Sequence, residues 1–243
     1  MPALARSAVT RPLIIAHRGG AGGHRENSLA AIAAAIDLGV DMVEIDVRRT
    51  SDGALVLHHD AEVSGTRIAE LTRPEVSQRA GRDLAGLEDA LALTAGRIGV
   101  NVEIKEDGYV AAVSEAICAH HDPSDVFVTS FIDAVVRQAK ELAPRVRVGL
   151  LLGRDHPRHY VRTRASEVFP VARARACRAD FLAPHWRLLR SGLLARASRA
   201  GYRCAPWTIN GEGPLARLLQ DARVLGVITD LPERAIRLRD RHS

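Results

Sequence analysis

In the stretch MVEIDVRRTSDGALVLHHD, residues 42–60, two carboxylates, Glu44 and Asp46, stand two apart inside an apolar run. In an extended strand, side chains two apart share a face, so both acids point the same way. Adjacent carboxylates repel and are costly to bury unpaired, and a divalent, oxygen-loving cation between them removes that cost. A turn at Ser51-Asp52-Gly53 and a second apolar run then deliver His58-His59-Asp60 close to the pair. The same spacing recurs in GVNVEIK, where Glu103 and Lys105 end another apolar run, and LIIAH ends in His17-Arg18. These residue types suit cleavage of a phosphodiester. Glu44, Asp46 and Glu103 offer three hard oxygen ligands to Mg²⁺ or Ca²⁺. Arg18 offers a planar fork and Lys105 a point charge to phosphate oxygens. His17 and His59 titrate near neutral pH and can exchange protons as acid and base. Trp207 offers a flat wall to an organic moiety, and His58, on the opposite face from His59, is expected to be structural.

The elements that must hold these residues alternate along the chain. Strands are expected at 13–17, 42–47, 99–105, 125–131, 146–152, 180–184, 202–208 and 226–229. Helices are expected at 29–38, 87–94, 109–120, 133–142, 162–178, 192–200, 213–221 and 232–239. Asn27 or Ser28 is placed to cap the first helix and Gly39 to end it. Continuous apolar strands imply a parallel sheet covered by helices. Eight βα units in 243 residues fit a (β/α)8 TIM barrel, and no GxGxxG follows the first strand as a dinucleotide fold would require. In such a barrel the site lies at the C-terminal strand ends, where these polar residues fall. We expect one domain over 13–243 behind a tail at 1–12.

Composition narrows the function classes. The net charge is +5, but arginines are scattered and aromatics make up only 4%, so there is no basic stripe interleaved with stacking residues and no nucleic acid is expected as a partner. Cys118, Cys177 and Cys204 are widely spaced with no CxxC, which reads as packed thiols in a reducing compartment. The N-terminal MPALARSAVTRP has no apolar signal core, and no apolar run is long enough for an integral membrane segment. A cytoplasmic protein is expected.

Motifs in order then carry a resemblance. H-R-G at 17–19, E-N-S at 26–28, E-I-D-V at 44–47, T-S-D-G at 50–53, H-D at 59–60, V-E-I-K at 102–105 and I-T-D at 228–230 resemble signatures of the glycerophosphodiester phosphodiesterase family. The resemblance spans nearly the whole chain and is most specific over its first 105 residues. It implies a barrel hydrolase that uses one divalent cation and releases an alcohol and glycerol 3-phosphate from a small glycerophosphodiester. It further implies His17 and His59 as the acid/base pair, Glu44, Asp46 and Glu103 as metal ligands, and Arg18 and Lys105 as phosphate contacts. In two places the chain departs from the family pattern. Arg25, beside His24, stands where the family usually has proline, and the segment after His59-Asp60 is shorter than the usual insertion. The rival expectations are a related barrel phospholipase acting on inositol or sphingolipid head groups, and a non-catalytic phosphate-binding barrel.

Overall fold

The computed structural model describes residues 11–20, 23–153 and 160–241, so most of the expected tail lies outside the described residues. The chain begins with β1 (Leu13–Ala16), α1 (Leu29–Leu38) and β2 (Met42–Arg49). An insertion follows, made of β3 (Leu55–Leu57), β4 (Glu62–Val63), β5 (Thr66–Arg67) and α2 (Arg73–Ala80). Alternation resumes with α3 (Leu87–Thr94), β6 (Gly99–Ile104), α4 (Val110–His120), β7 (Val126–Ser130), α5 (Asp133–Leu142) and β8 (Arg147–Leu152). The last part holds α6 (Tyr160–Val168), α7 (Val171–Ala176), β9 (Phe181–Pro184), α8 (Leu193–Arg199), α9 (Glu212–Leu218), β10 (Gly226–Thr229) and α10 (Pro232–Asp240).

The central sheet runs β10-β1-β2-β6-β7-β8-β9, all neighbours parallel, with β3 antiparallel on β2. The expected seventh strand, 202–208, pairs only through isolated bridges at Cys204 and Trp207. Pro206 lacks the N–H that a regular ladder needs there. The segment still joins the two sheet edges. Ala205 N donates to Leu182 O (2.8 Å) and Trp207 N to Pro184 O (3.0 Å), while Leu225 N donates to Cys204 O (2.6 Å) and Ile228 N to Pro206 O (3.0 Å). The result is a curled α/β parallel sheet of the TIM-barrel type, as expected.

Alternation along the strands divides the core in two. Val43, Ile45 and Val47 of β2 pack outward with Ile32 of α1 and Leu87 of α3, in a large buried cluster between sheet and helices. Ile15, Met42, Phe127 and Phe181 pack on the inner side, with the two phenylalanine rings 5.2 Å apart. Each such fully buried side chain contributes about 1.5–3 kcal/mol. The insertion builds a small core of its own from Val56, Ile68, Leu71, Val76 and Leu84. Its helix α2 is not among the helices expected from the sequence; Glu75 accepts the Thr72 backbone N–H (2.8 Å) and caps it. The single helix expected at 162–178 is instead α6 and α7, which meet at Pro170.

Candidate active site

Parallel pairing of β2 with β6 sets the acids. Asp46 lies in register with Glu103, and Glu44 with Asn101, so the three carboxylates come from neighbouring strand ends. Glu44, Asp46 and Glu103 are all buried, and each brings one oxygen within 4.8 Å of the others. Their charges are unevenly compensated. Burial raises the Glu44 carboxyl and Asp46 raises it further, to about 8. Glu103 is raised chiefly by burial. For Asp46, burial pushes up, but Lys105, Arg18 and Asn27 outweigh it and hold the group below the ordinary carboxylate range. Lys105 Nζ lies 2.8 Å from Glu103 and donates to Asp46 at 3.1 Å. Arg18 Nε lies 3.2 Å from Asp46. Two cations therefore face three buried acids, and full ionisation of all three would leave one negative charge unbalanced on hard oxygen donors. That donor set fits a divalent, oxygen-preferring cation.

Arg18 sits on a tight turn that directs its backbone into the site. Its φ of 52° is left-handed, and its N–H donates to Glu44 Oε2 at 2.9 Å. Its carbonyl accepts the Asn27 N–H (2.9 Å), and one guanidinium nitrogen donates to Glu26 (2.9 Å). Gly19, at φ 84°, has no room for a side chain, since a Cβ would come within 2.7 Å of Ala31 Cβ. Of the two caps the sequence offers for α1, Asn27 or Ser28, Ser28 takes the role and accepts from Ala31 N. Buried Asn27 instead clamps Asp46, donating Nδ2–H to Oδ2 (2.8 Å) and accepting the Asp46 N–H (3.0 Å).

Both histidines are oriented alike. His17 Nδ1 bonds Asp230 at 2.6 Å, and His59 Nδ1 bonds Asp60 at 2.8 Å. An ionised carboxylate only accepts, so Nδ1 carries the proton and Nε2 is left for chemistry. His17 Nε2 lies 4.0 Å from Glu44. Burial lowers the proton affinity of His17, but Asp230 and Glu44 outweigh it and the balance is upward. His59 is lowered by burial and by Lys105. Asp230 is itself held by Asn210, whose Nδ2 donates to it at 2.7 Å. Arg48 fixes the far turn by donating to the His59 carbonyl from Nε (3.1 Å) and a terminal nitrogen (2.6 Å).

A cavity of about 690 Å³ opens over these groups, lined by His17, Arg18, Glu44, Arg48, His59, Glu103, Lys105, Phe131 and Trp207 among others. Trp207 forms an aromatic wall, edge-on to Phe131 at 5.7 Å, with its indole N–H on Ala183 O (2.8 Å). Seven of the eight candidate site residues thus line the cavity, and the eighth, Asp46, contacts two of them, Arg18 and Lys105. Asn27, Arg48 and Asn210 are additions, and Asp230 gains a specific partner in His17. Ser130, at the end of β7, turns away to donate to Ile104 O.

The sequence profile described as the Glycerophosphoryl diester phosphodiesterase family matches residues 17–234. The chain belongs to this family. It is therefore a phosphoric diester hydrolase by kinship. Among its relatives, a glycerophosphodiester phosphodiesterase of Caldanaerobacter subterraneus subsp. tengcongensis is 29% identical over 249 residues, covering 94% of this chain and 98% of that protein. Two solved structures share the fold. A putative glycerophosphoryl diester phosphodiesterase from Agrobacterium tumefaciens aligns with a TM-score of 0.81 at 23% identity, over 95% of this chain and 98% of the other. An Oleispira antarctica phosphodiesterase, solved with the product sn-glycerol-3-phosphate, aligns with a TM-score of 0.76 at 24% identity, over 95% and 97%. Among the described residues no helix is long and apolar enough to cross a membrane.

Proposed function

We propose that this member of the family hydrolyses glycerophosphodiesters to an alcohol and glycerol 3-phosphate, with Glu44, Asp46 and Glu103 holding one divalent cation, Mg²⁺ or Ca²⁺. The observation that carries the reading is the convergence of three buried carboxylates beside two histidines whose Nδ1 atoms are each fixed by an acid. Such a cation supplies Lewis-acid polarisation of a phosphoryl oxygen and relieves the repulsion among the acids. Arg18 and Lys105, anchored on Asp46, turn their remaining N–H groups toward the phosphate oxygens. His17 and His59 act as the acid/base pair. One imidazole accepts the proton of the substrate's glycerol hydroxyl as it attacks phosphorus, and the other delivers a proton to the alcohol oxygen that leaves. Water then opens the resulting cyclic phosphate to glycerol 3-phosphate, with the two proton transfers reversed. Trp207 packs against the apolar part of the substrate.

The catalytic domain in this reading is 13–243, with 1–12 as a tail. A reducing, cytoplasmic setting suits the three free thiols, Cys118, Cys177 and Cys204. The relatives' names and the product held by the Oleispira enzyme support the substrate class.

The test is turnover of glycerophosphocholine and glycerophosphoethanolamine, with product analysis, beside His17→Ala and His59→Ala. Glycerol 3-phosphate released by the wild type, and reduced by 10²-fold or more in each variant, is the expected result. Turnover confined to lipid vesicles would transfer the chain to the phospholipase reading. Full turnover in both variants would remove the histidines from the mechanism.

A further inference from the structure

The cavity wall is apolar where Phe131, Leu151 and Ile228 line it, yet it also holds a polar pair that the proposed reaction does not use. Asn101 of β6 and Thr129 of β7 both line the cavity, and each is only 1% exposed. Strand period and register place them. Asn101 stands two residues before Glu103, so it shares that face one layer deeper in the barrel, level with Glu44 across the β2–β6 pairing. Thr129 is in register with Glu103 on the side away from β2, one strand spacing, about 5 Å, from it. The Thr129 hydroxyl donates to Asn101 Oδ1 at 3.2 Å, so the amide oxygen is taken and the amide nitrogen is left. Among the described residues that nitrogen meets no acceptor, and the Thr129 oxygen receives no donor. Buried donors without partners are costly, and folded proteins keep few of them.

The chemistry that satisfies both atoms is narrow. Asn101 offers N–H donors and Thr129 offers the lone pairs of an acceptor, bonded side by side. A phosphate or carboxylate only accepts, and the neighbouring Glu44 and Glu103 disfavour a further anion there. An ammonium only donates and leaves the amide idle. A hydroxyl does both through one oxygen. We propose that Asn101 and Thr129 form a hydroxyl subsite that holds the free terminal hydroxyl of the substrate's glycerol, selecting glycerol diesters over diesters that lack it. A three-carbon chain spans the single strand spacing between the carboxylate centre and this pair. The inference rests on the proposed diester hydrolysis but not on which histidine is acid and which is base.

The test compares kcat/KM for ethanolamine release from glycerophosphoethanolamine and from its analogue built on propane-1,2-diol. The analogue keeps the middle hydroxyl that attacks phosphorus and lacks only the terminal one. The wild type should favour the glycerol member by roughly ten- to hundredfold, the size of one buried hydroxyl's hydrogen bonds. Asn101→Leu with Thr129→Val replaces both polar partners by apolar groups of similar shape, a change that folded interiors tolerate well. It should abolish the preference through loss on the glycerol member. Thr129→Val alone should lower the preference in part, and Thr129→Ser, which keeps the hydroxyl, should retain most of it. No preference in the wild type while glycerophosphoethanolamine turns over overturns the subsite. So does a preference that survives the double change, or an equal loss on both members, which is what a merely structural role produces. Absence of turnover on both diesters overturns the reaction reading, and the subsite with it.

Discussion

Asn27 offers a quantitative test of how the acidic centre is held. It is 2% exposed, and its amide both donates to and accepts from Asp46. Asn27→Ala removes a charge-assisted hydrogen bond, a loss of about 1.5–3 kcal/mol, and strands the buried Asp46 N–H for about 1–3 kcal/mol more. The residue also sits at φ 53°, which asparagine tolerates far better than alanine. That adds about 1–2 kcal/mol for alanine but nothing for glycine. The expected cost is therefore about 3.5–8 kcal/mol for Asn27→Ala, with Asn27→Gly about 1–2 kcal/mol less damaging. Urea unfolding of the metal-free variants, followed by circular dichroism, reads both values from the shift in midpoint at constant slope. A loss below about 1 kcal/mol in Asn27→Ala would refute the clamp. Equal losses for glycine and alanine would refute the strain contribution alone.

Three further outcomes are expected. Gly19→Ala puts a Cβ 2.7 Å from Ala31 Cβ at a left-handed φ of 84°, so it should destabilise by roughly 2–5 kcal/mol and lower the melting temperature accordingly. Burial holds the His121 imidazole below its usual 6.5, with Nε2 against Leu91 O and Thr94 Oγ1. The unfolded chain binds that proton more readily, so the stability from His121 is complete above 6.5 and is lost as pH falls through the folded value. Denaturant midpoints should thus drop less between pH 7.5 and 5.5 in His121→Gln than in the wild type, and an equal drop would contradict the assignment. Cys118 is exposed, whereas burial raises Cys177 and pushes Cys204 up to about 12. A thiol reagent at pH 8 should therefore label one cysteine per native chain and three after unfolding.

The strands were readable because parallel strands covered on both faces need continuous apolar runs, and LIIA, MVEIDV and GVNVEI supply them. The acids were readable because a two-residue period puts Glu44 with Asp46 on one face, leaving only the β2–β6 register to add Glu103. What could not be read depends on where side chains meet across long sequence separations. Asp230 reaches His17 from 213 positions away, and nothing local in I-T-D distinguishes that bond from a helix cap. Asn27 next to Ser28 presents two good caps, and only the left-handed turn at Asn27 decides which one turns inward. Helix α2 was hidden because it buries only Val76, too little to produce a visible apolar stripe. The bridges at 202–208 fall short of a strand because Pro206 interrupts a run whose other residues look strand-forming.

The most direct test of the account is glycerol 3-phosphate release from glycerophosphoethanolamine by protein stripped of metal, as Mg²⁺ or Ca²⁺ is titrated back. The account predicts no release in EDTA, recovery that saturates with one bound cation, and no recovery in Glu44→Gln with Glu103→Gln. Undiminished turnover in EDTA, or full activity of the double variant, would contradict it.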